Sequence, residues 1–329
     1  MNRVARLLHI KYPIFQGGMG NISHAELTAA VSNAGGLGTL GAGTMSPEEV
    51  EAKIQKVKEL TVNPFAVNLP IRVQPFAEDI VRIILDHQVP VVSLSAGNPK
   101  LLIPVFKSAG IKVIVVAASV RQAVKAEEAG ADIIAAEGYE AAGINSAHET
   151  TTMTLIPQIS DRISVPLVAA GGIGDGRGLA AAFCLGAEGV QMGTRLIATK
   201  EALVHDAYKK AMLDSDDTGT VITGRTTGKI RRLLHTPYAE MLLRKEAEGV
   251  TAEEFDRMTD EKRHVTGAIE GKLEEGHLNG GQIAGLVRDI PSVRDLLEEM
   301  ISQAEETNRR AQTALKLKSV DVTGDKQTK

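Results

Sequence analysis

Between residues 12 and 196 short apolar runs alternate with longer amphipathic segments, and the alternation repeats eight times. The runs are "PIFQ" (13–16), "LGTLGAG" (37–43), "PFAVNL" (64–69), "VVSLSAG" (91–97), "KVIVVAAS" (112–119), "DIIAAEG" (132–138), "PLVAAGG" (166–172) and "GVQMGT" (189–194). Their apolar residues are nearly continuous, which predicts parallel strands covered on both faces. The intervening segments carry helix signals. "SHAELTAAVSNAGG" offers Ser23 as an N-cap, Glu26 three residues on and a glycine stop. "SPEEVEAKIQKVKEL" has Ser46 as cap, Pro47 in the first turn and acids ahead of lysines, and "SVRQAVKAEEAGAD" repeats the scheme from Ser119. Eight β–α units in series predict an α/β fold, a (β/α)8 TIM barrel over 1–199. A doubly wound open sheet is the rival, because closure leaves no local mark in a sequence.

After the eighth run the pattern changes. Residues 200–285 are richer in charge and show no strand-like run, so they read as a mostly helical insertion, a lid over the barrel mouth. "GGQIAGLV" and "SVRDLLEEMISQAEETNRRAQTALKLK" then predict helices, with 286–318 completing the barrel and 319–329 a frayed polar tail.

Composition narrows the class. Aromatics are 3% of the 329 residues and Trp is absent, so the core is built from branched aliphatics, which suits layered α/β packing. A net charge of −4 without a basic stripe argues against nucleic acid as a partner. The N-terminal "MNRVARLLHIKYPIFQ" lacks a signal-peptide pattern, and no run approaches the roughly 18 apolar residues of a membrane span. The single cysteine, Cys184, excludes an intrachain disulfide and fits a reducing compartment, so a cytoplasmic protein is expected. Within "LAAAFCLGA" Cys184 itself reads as a buried core residue.

In a barrel the chemistry sits at the C-terminal strand ends. Those ends offer glycines, amides and small residues, with no His/Asp/Glu trio for a metal and no Lys for a Schiff base. "AAGGIGDG" (169–176) and "QMGTR" (191–195) follow the seventh and eighth strands, where barrels bind phosphate. Asn68 can serve the edge of a planar ring, and "QGGM" brings backbone close to its face. A flavin mononucleotide (FMN) fits this inventory, with the cofactor carrying the chemistry. A sugar-phosphate barrel without flavin is the rival.

"YPIFQGGMG", "AVSNAGGLGTLGAG", "PFAVNL", "AEGYEAAG", "VPLVAAGGIGDGRGLAAAFCLGAEGVQMGTR" and "GGQIAGLV" together resemble the FMN-dependent nitronate monooxygenases, formerly 2-nitropropane dioxygenases. They are equally similar to the FMN-dependent enoyl-acyl-carrier-protein reductases. The resemblance runs from about residue 7 to 315. It implies an FMN barrel with a helical insertion and a homodimer. It also implies that Asn68 meets the flavin ring, that Gly17, Gly18 and Met19 line it, and that Glu137 and Ala142 touch it. Gly171, Gly172, Gln191, Met192, Gly193 and Thr194 would hold the phosphate. Ala142 stands where the family usually has Gly.

The departure lies in "AEGYEAAGINSAH". Where the family has its functional His, this chain has Ile144, and His148 follows four residues later. Either the loop returns His148 to the flavin face, making it the catalytic residue, or His148 is solvated and catalysis needs no His. Asn145 can donate a hydrogen bond but is no base near neutral pH. His205, His235 and His24 read chiefly as non-catalytic and Tyr139 as a wall, while "RTTGKIRRLL" (225–234) is a basic cluster that reads either as a solvated helix face or as a means of steering an anionic substrate or dinucleotide. The activity this implies is oxidation of alkyl nitronates with O2. A nitronate is already anionic, so a site without the His is chemically tolerable. The alternatives are an enoyl-thioester reductase using NADH or NADPH, and a flavin-binding protein without turnover.

Overall fold

Each of the eight apolar runs forms a strand in the computed structural model, which describes residues 2–315. In chain order they are β1 (Ile14–Gln16), β2 (Gly38–Gly41), β3 (Phe65–Pro70), β4 (Val91–Ser95), β5 (Lys112–Ala117) and β6 (Ile133–Glu137). A two-residue strand, β7 (Gly143–Ile144), precedes β8 (Leu167–Ala170) and β9 (Gly189–Met192). All barrel pairs are parallel, in the order β1-β9-β8-β6-β5-β4-β3-β2. A bridge between Phe15 and Leu37 joins β1 to β2, with Gln16 N donating to Leu37 O at 2.9 Å, and closes the ring. Closure decides against the open sheet.

Both faces of the strands are buried, as their continuous apolarity requires. Inside the barrel, Phe15, Leu37, Ala66, Val91, Ile114, Ile133 and Val168 pack together, and Val4 and Leu8 of the helix Arg3–Leu8 join them at the N-terminal end of the strands. That helix is pinned by Arg3 Nε donating to Glu188 at 2.7 Å and Asn2 Nδ2 donating to Glu188 O at 2.7 Å. The opposite, C-terminal end is thereby left as the open mouth. Outside, Val50, Ile54 and Val57 of the helix Pro47–Leu60 recur at helical spacing and face the sheet. Its Ser46–Glu49 capping box is complete, and Ser119 caps the helix Val120–Glu128.

The insertion is not all helix. Residues 200–285 hold helices Asp206–Leu213, Pro237–Ala247, Ala252–Met258 and Glu261–Ala268, but also strands β10 (Thr220–Thr223) and β11 (Arg231–Leu234). These pair antiparallel, and β11 pairs in turn with β7, so a three-stranded sheet ties the insertion to the barrel lip. "RTTGKIRRLL" is therefore a turn and a strand, not a helix face. Charge at Arg231 and Arg232 hides a strand that exists through its partners. "GGQIAGLV" forms only a short 3-10 turn, Gln282–Leu286. The helix Val293–Leu315 packs on the helices Gly176–Cys184 and Ala25–Asn33, and its Val293, Leu296, Leu297, Met300 and Ala304 are buried. Cys184 is exposed: the stripe of Gly176, Leu179 and Ala180 faces inward and Cys184 falls beside it. The expected tail at 319–329 lies outside the described residues. Among those residues no helix is long and apolar enough to cross a membrane.

Candidate active site

A cavity of about 1170 Å3 opens at the C-terminal strand ends. Gly17, Gly18, Met19, Asn68, Glu137, Ala142, Gly171, Gly172, Gln191, Met192, Gly193 and Thr194 all line it. Residues from 17 to 194 in sequence thus converge on one wall because successive parallel strands end side by side.

The β1 end is set by a buried polar knot. Gln16 Nε2 donates to Ser23 Oγ (3.0 Å), Ser23 Oγ donates to Thr39 O (2.7 Å), and Gln16 Oε1 accepts from Thr39 N (3.2 Å). Ser23 is therefore not the helix cap it looked to be; His24 holds that position without a side-chain bond. The knot fixes the loop carrying Gly17 to Met19. A Cβ on Gly18 would lie 2.4 Å from the Asn68 side chain, so only glycine allows that approach. Asn68 is 6% exposed, and its Nδ2 donates to Ser93 O (3.1 Å) and Ser95 Oγ (3.1 Å). Its oxygen keeps no protein donor among the described residues and is left for the cavity.

Across the mouth, Gly171 and Gly172 have φ of +88° and +75°, conformations an L side chain rarely adopts. The backbone N–H groups of Gly172, Ile173 and Gly193 find no acceptor among the described residues, leaving a set of donors suited to an anion. Thr194 Oγ1 accepts from Gly281 N at 2.9 Å, and Gln282 N donates to Glu140 O at 3.0 Å. The "GGQ" stretch thus clamps the ends of β9 and β6. The side chain of Glu137, at the end of β6, makes no hydrogen bond among the described residues, and burial pushes its carboxyl up to about 7. A carboxyl in that range can donate as well as accept near neutral pH.

His148 is exposed and does not line the cavity; its backbone N–H donates to Ser146 Oγ at 3.2 Å. Ile144, 51% exposed, and Asn145 do line it, Asn145 with its Nδ2 held by Ala141 O at 2.8 Å. His205 and His235 are exposed, and His24 is half-buried away from the cavity. Tyr139 lies outside the lining as well: its hydroxyl accepts from Arg225 at 2.7 Å, and Arg232 stacks over its ring at 5.0 Å.

The insertion supplies the facing wall, and of its side chains only Arg231, within "RTTGKIRRLL", and Ile283, within "GGQIAGLV", fall in stretches that the sequence singles out. Tyr208, Arg231, Glu261, His264, Asn279 and Ile283 line the cavity there. His264 is 2% exposed and stacks on His277, ring centroids 5.2 Å apart. Glu261 Oε2 lies 3.7 Å from His264 Nδ1; burial is the largest single influence on that carboxyl and raises its pKa, but His264, the Asn21 N–H and the charge of Arg231 together outweigh it and the net shift is downward. His277 is buried with both ring nitrogens unpartnered among the described residues, and burial, then the charges of His264 and Arg231, lower its pKa well below the usual histidine range. Asn279 Oδ1 is buried and unpartnered too. These residues carry no common motif; only the pairing of β11 with β7 brings Arg231 to the lip.

The sequence profile of the nitronate monooxygenase family matches residues 2–80 and 71–303. A probable nitronate monooxygenase of Staphylococcus saprophyticus is 36% identical, over 94% of this chain and 99% of that protein. The (3aS,4S,5R,7aS)-5-hydroxy-7a-methyl-1-oxo-octahydro-1H-indene-4-carboxyl-CoA dehydrogenase of Mycobacterium tuberculosis is 35% identical, over 92% and 95%. Among solved structures, FabK from Thermotoga maritima superposes with a TM-score of 0.91 at 40% identity, covering 96% of this chain and 99% of that one. With the family profile spanning nearly the whole barrel and its insertion, the chain belongs to the nitronate monooxygenase family and is an enzyme of the flavin-dependent oxidoreductase type.

Proposed function

We propose that the cavity binds FMN and oxidises alkyl nitronates with O2. The observation that carries the cofactor reading is the Gly18–Asn68 approach: the space a Cβ would fill lies beside an amide oxygen with no protein donor. That is a slot for the face and edge of a flat ring. The unpaired amides of Gly172, Ile173 and Gly193 suit its phosphate, and Gln191 supplies a further amide along the same wall. Bound flavin would supply the two-electron chemistry and the route to O2.

The chain's own residues then bind, orient and exclude water. A cavity of about 1170 Å3 exceeds the ~300–1,000 Å3 usual for one small ligand, which leaves room for a substrate between ring and insertion. Ile144 supplies no base at the position where the family's histidine is expected, and His148 is turned away. A substrate that arrives already deprotonated, as a nitronate does, needs none. Residues 200–285 act in this reading as the lid that forms the substrate wall.

Oxygen consumption by the flavin-loaded protein on adding an alkyl nitronate, with no nicotinamide present, tests the assignment. A second reading is reduction of the carbon–carbon double bond of an enoyl thioester. It is favoured by the cavity's reach past Ser95 to Lys100 and Lys125, whose charges suit an anionic carrier, and by the carboxyl-CoA in the name of the mycobacterial relative. NADH or NADPH consumption with a crotonyl thioester, without nitronate turnover, would select it.

A further inference from the structure

Two adjacent arginines in β11 are used differently. Arg232 is buried and committed to structure: it donates to Tyr139 O at 3.1 Å and Thr220 Oγ1 at 3.2 Å. Arg231 is half-buried and lines the cavity, yet its guanidinium makes no hydrogen bond or ion pair among the described residues. Glu261, Asp256 and Asp260 act on it through space, but none is within ion-pair distance. Glu261 faces His264 at 3.7 Å, Asp256 pairs with Lys229 at 3.0 Å, and Asp260 accepts from Arg263 N at 2.8 Å. A partly dehydrated cation without a partner is costly unless a ligand brings the anion.

Its position is as telling as its charge. Arg231 and Ile144 are register partners across β11 and β7, and directly opposed residues of an antiparallel pair project to the same face. Both line the cavity. A permanent positive charge therefore stands beside the place where the family resemblance expects a histidine. The planar guanidinium fork matches a planar pair of oxygens and cannot act as a base.

We propose that Arg231 is the anion-binding residue of the substrate pocket and that its ligand is a planar two-oxygen anion. The inference rests on the nitronate reading for the identity of the substrate but not for the existence of the subsite: a nitronate and a carboxylate share the chemistry. It also gives the site its selectivity. A preformed anion is bound, whereas the neutral parent nitroalkane brings no charge for Arg231 to pair.

The test uses the flavin-loaded full chain as wild type, Arg231→Gln, Arg231→Lys and Ile144→Glu. Dissociation constants of nitrate and propionate are measured by calorimetry, and kcat and KM with propyl-1-nitronate by oxygen uptake. Loss of a charge-assisted bidentate contact is expected to weaken anion binding in Arg231→Gln by about ten- to a hundredfold, with KM rising more than kcat falls and Arg231→Lys lying between. Ile144 is half-exposed, so Ile144→Glu tolerates the change and sets a carboxylate opposite the guanidinium, weakening both probe anions. Unchanged nitrate and propionate affinity in a folded Arg231→Gln would overturn the proposal, as would unchanged affinity in Ile144→Glu if the first variant does not fold. Arg231-dependent propionate binding without nitronate turnover would keep the subsite, assign it to a carboxylate and remove the nitronate reading. Nitronate turnover with a KM indifferent to Arg231 would do the reverse.

Discussion

The barrel wall and the insertion wall of the cavity are built from different materials. The barrel wall is backbone: glycines at 17, 18, 171, 172 and 193, with amides at Asn68 and Gln191, delivered by strand ends whose positions the closed sheet fixes. The insertion wall is side chains: Arg231, Glu261, His264 and Asn279, drawn from a strand, a helix and a connecting segment. A backbone wall suits a constant ligand: Gly18 has no room for a Cβ, and Gly171 and Gly172 hold conformations that L side chains rarely adopt. A side-chain wall can be varied residue by residue, which is where a family would change substrates while keeping its cofactor.

The largest expected effect tests the rigidity of the barrel wall. Gly18→Ala places a methyl 2.4 Å from Asn68, so the amide or the loop must move. Purified Gly18→Ala is expected to carry little flavin and to bind added FMN at least about tenfold more weakly, a loss of ~1.4 kcal/mol or more. Wild-type flavin content in this variant would break the contrast.

The next effect separates the walls by pH. Glu137 on the barrel wall has a folded pKa raised by burial to about 7, above its ordinary 4.5. Its contribution to stability is present at low pH and is lost as pH rises from 4.5 through 7. His277 behind the insertion wall has a folded pKa lowered below 6.5, chiefly by burial. A depressed histidine acts in the other direction: stability is present above 6.5 and is lost as pH falls below it. In thermal melts across pH 4–9, Glu137→Gln should flatten the decline toward alkaline pH. His277→Phe, which keeps a flat ring against His264, should flatten the decline toward acid. Parallel profiles for wild type and both variants would contradict the assigned directions.

The smallest effect is expected at His148. His148→Ala should leave kcat and KM for nitronate within about twofold of wild type, as for an exposed position without special contacts. A large loss of kcat would mean that the loop folds over the flavin during turnover.

The same contrast explains what could be read from the sequence. All eight barrel strands were legible because doubly covered parallel strands are continuous apolar runs, and the glycines were legible because they punctuate the strand ends. Strands β10 and β11 were not: Thr220 and Arg231 look polar, and their strand character comes from pairing with each other and with β7. Ser23 mimicked a cap because a serine before an amphipathic run is the usual signal, while its hydroxyl in fact serves Gln16 and Thr39. Cys184 sat in an apolar run whose helical stripe passes beside it. Arg231, His264 and Asn279 lie far apart in sequence without a common spacing, so only the folded insertion gathers them.

The most direct test of a flavin on the barrel wall and an anion on the insertion wall is an anaerobic absorbance titration of the flavin-loaded protein. Parallel cuvettes would receive propyl-1-nitronate, neutral 1-nitropropane and NADH or NADPH. Loss of the oxidised-flavin band is expected with the nitronate alone. Bleaching by the reduced nicotinamide only, or a protein with no flavin band even after FMN is added, would contradict it.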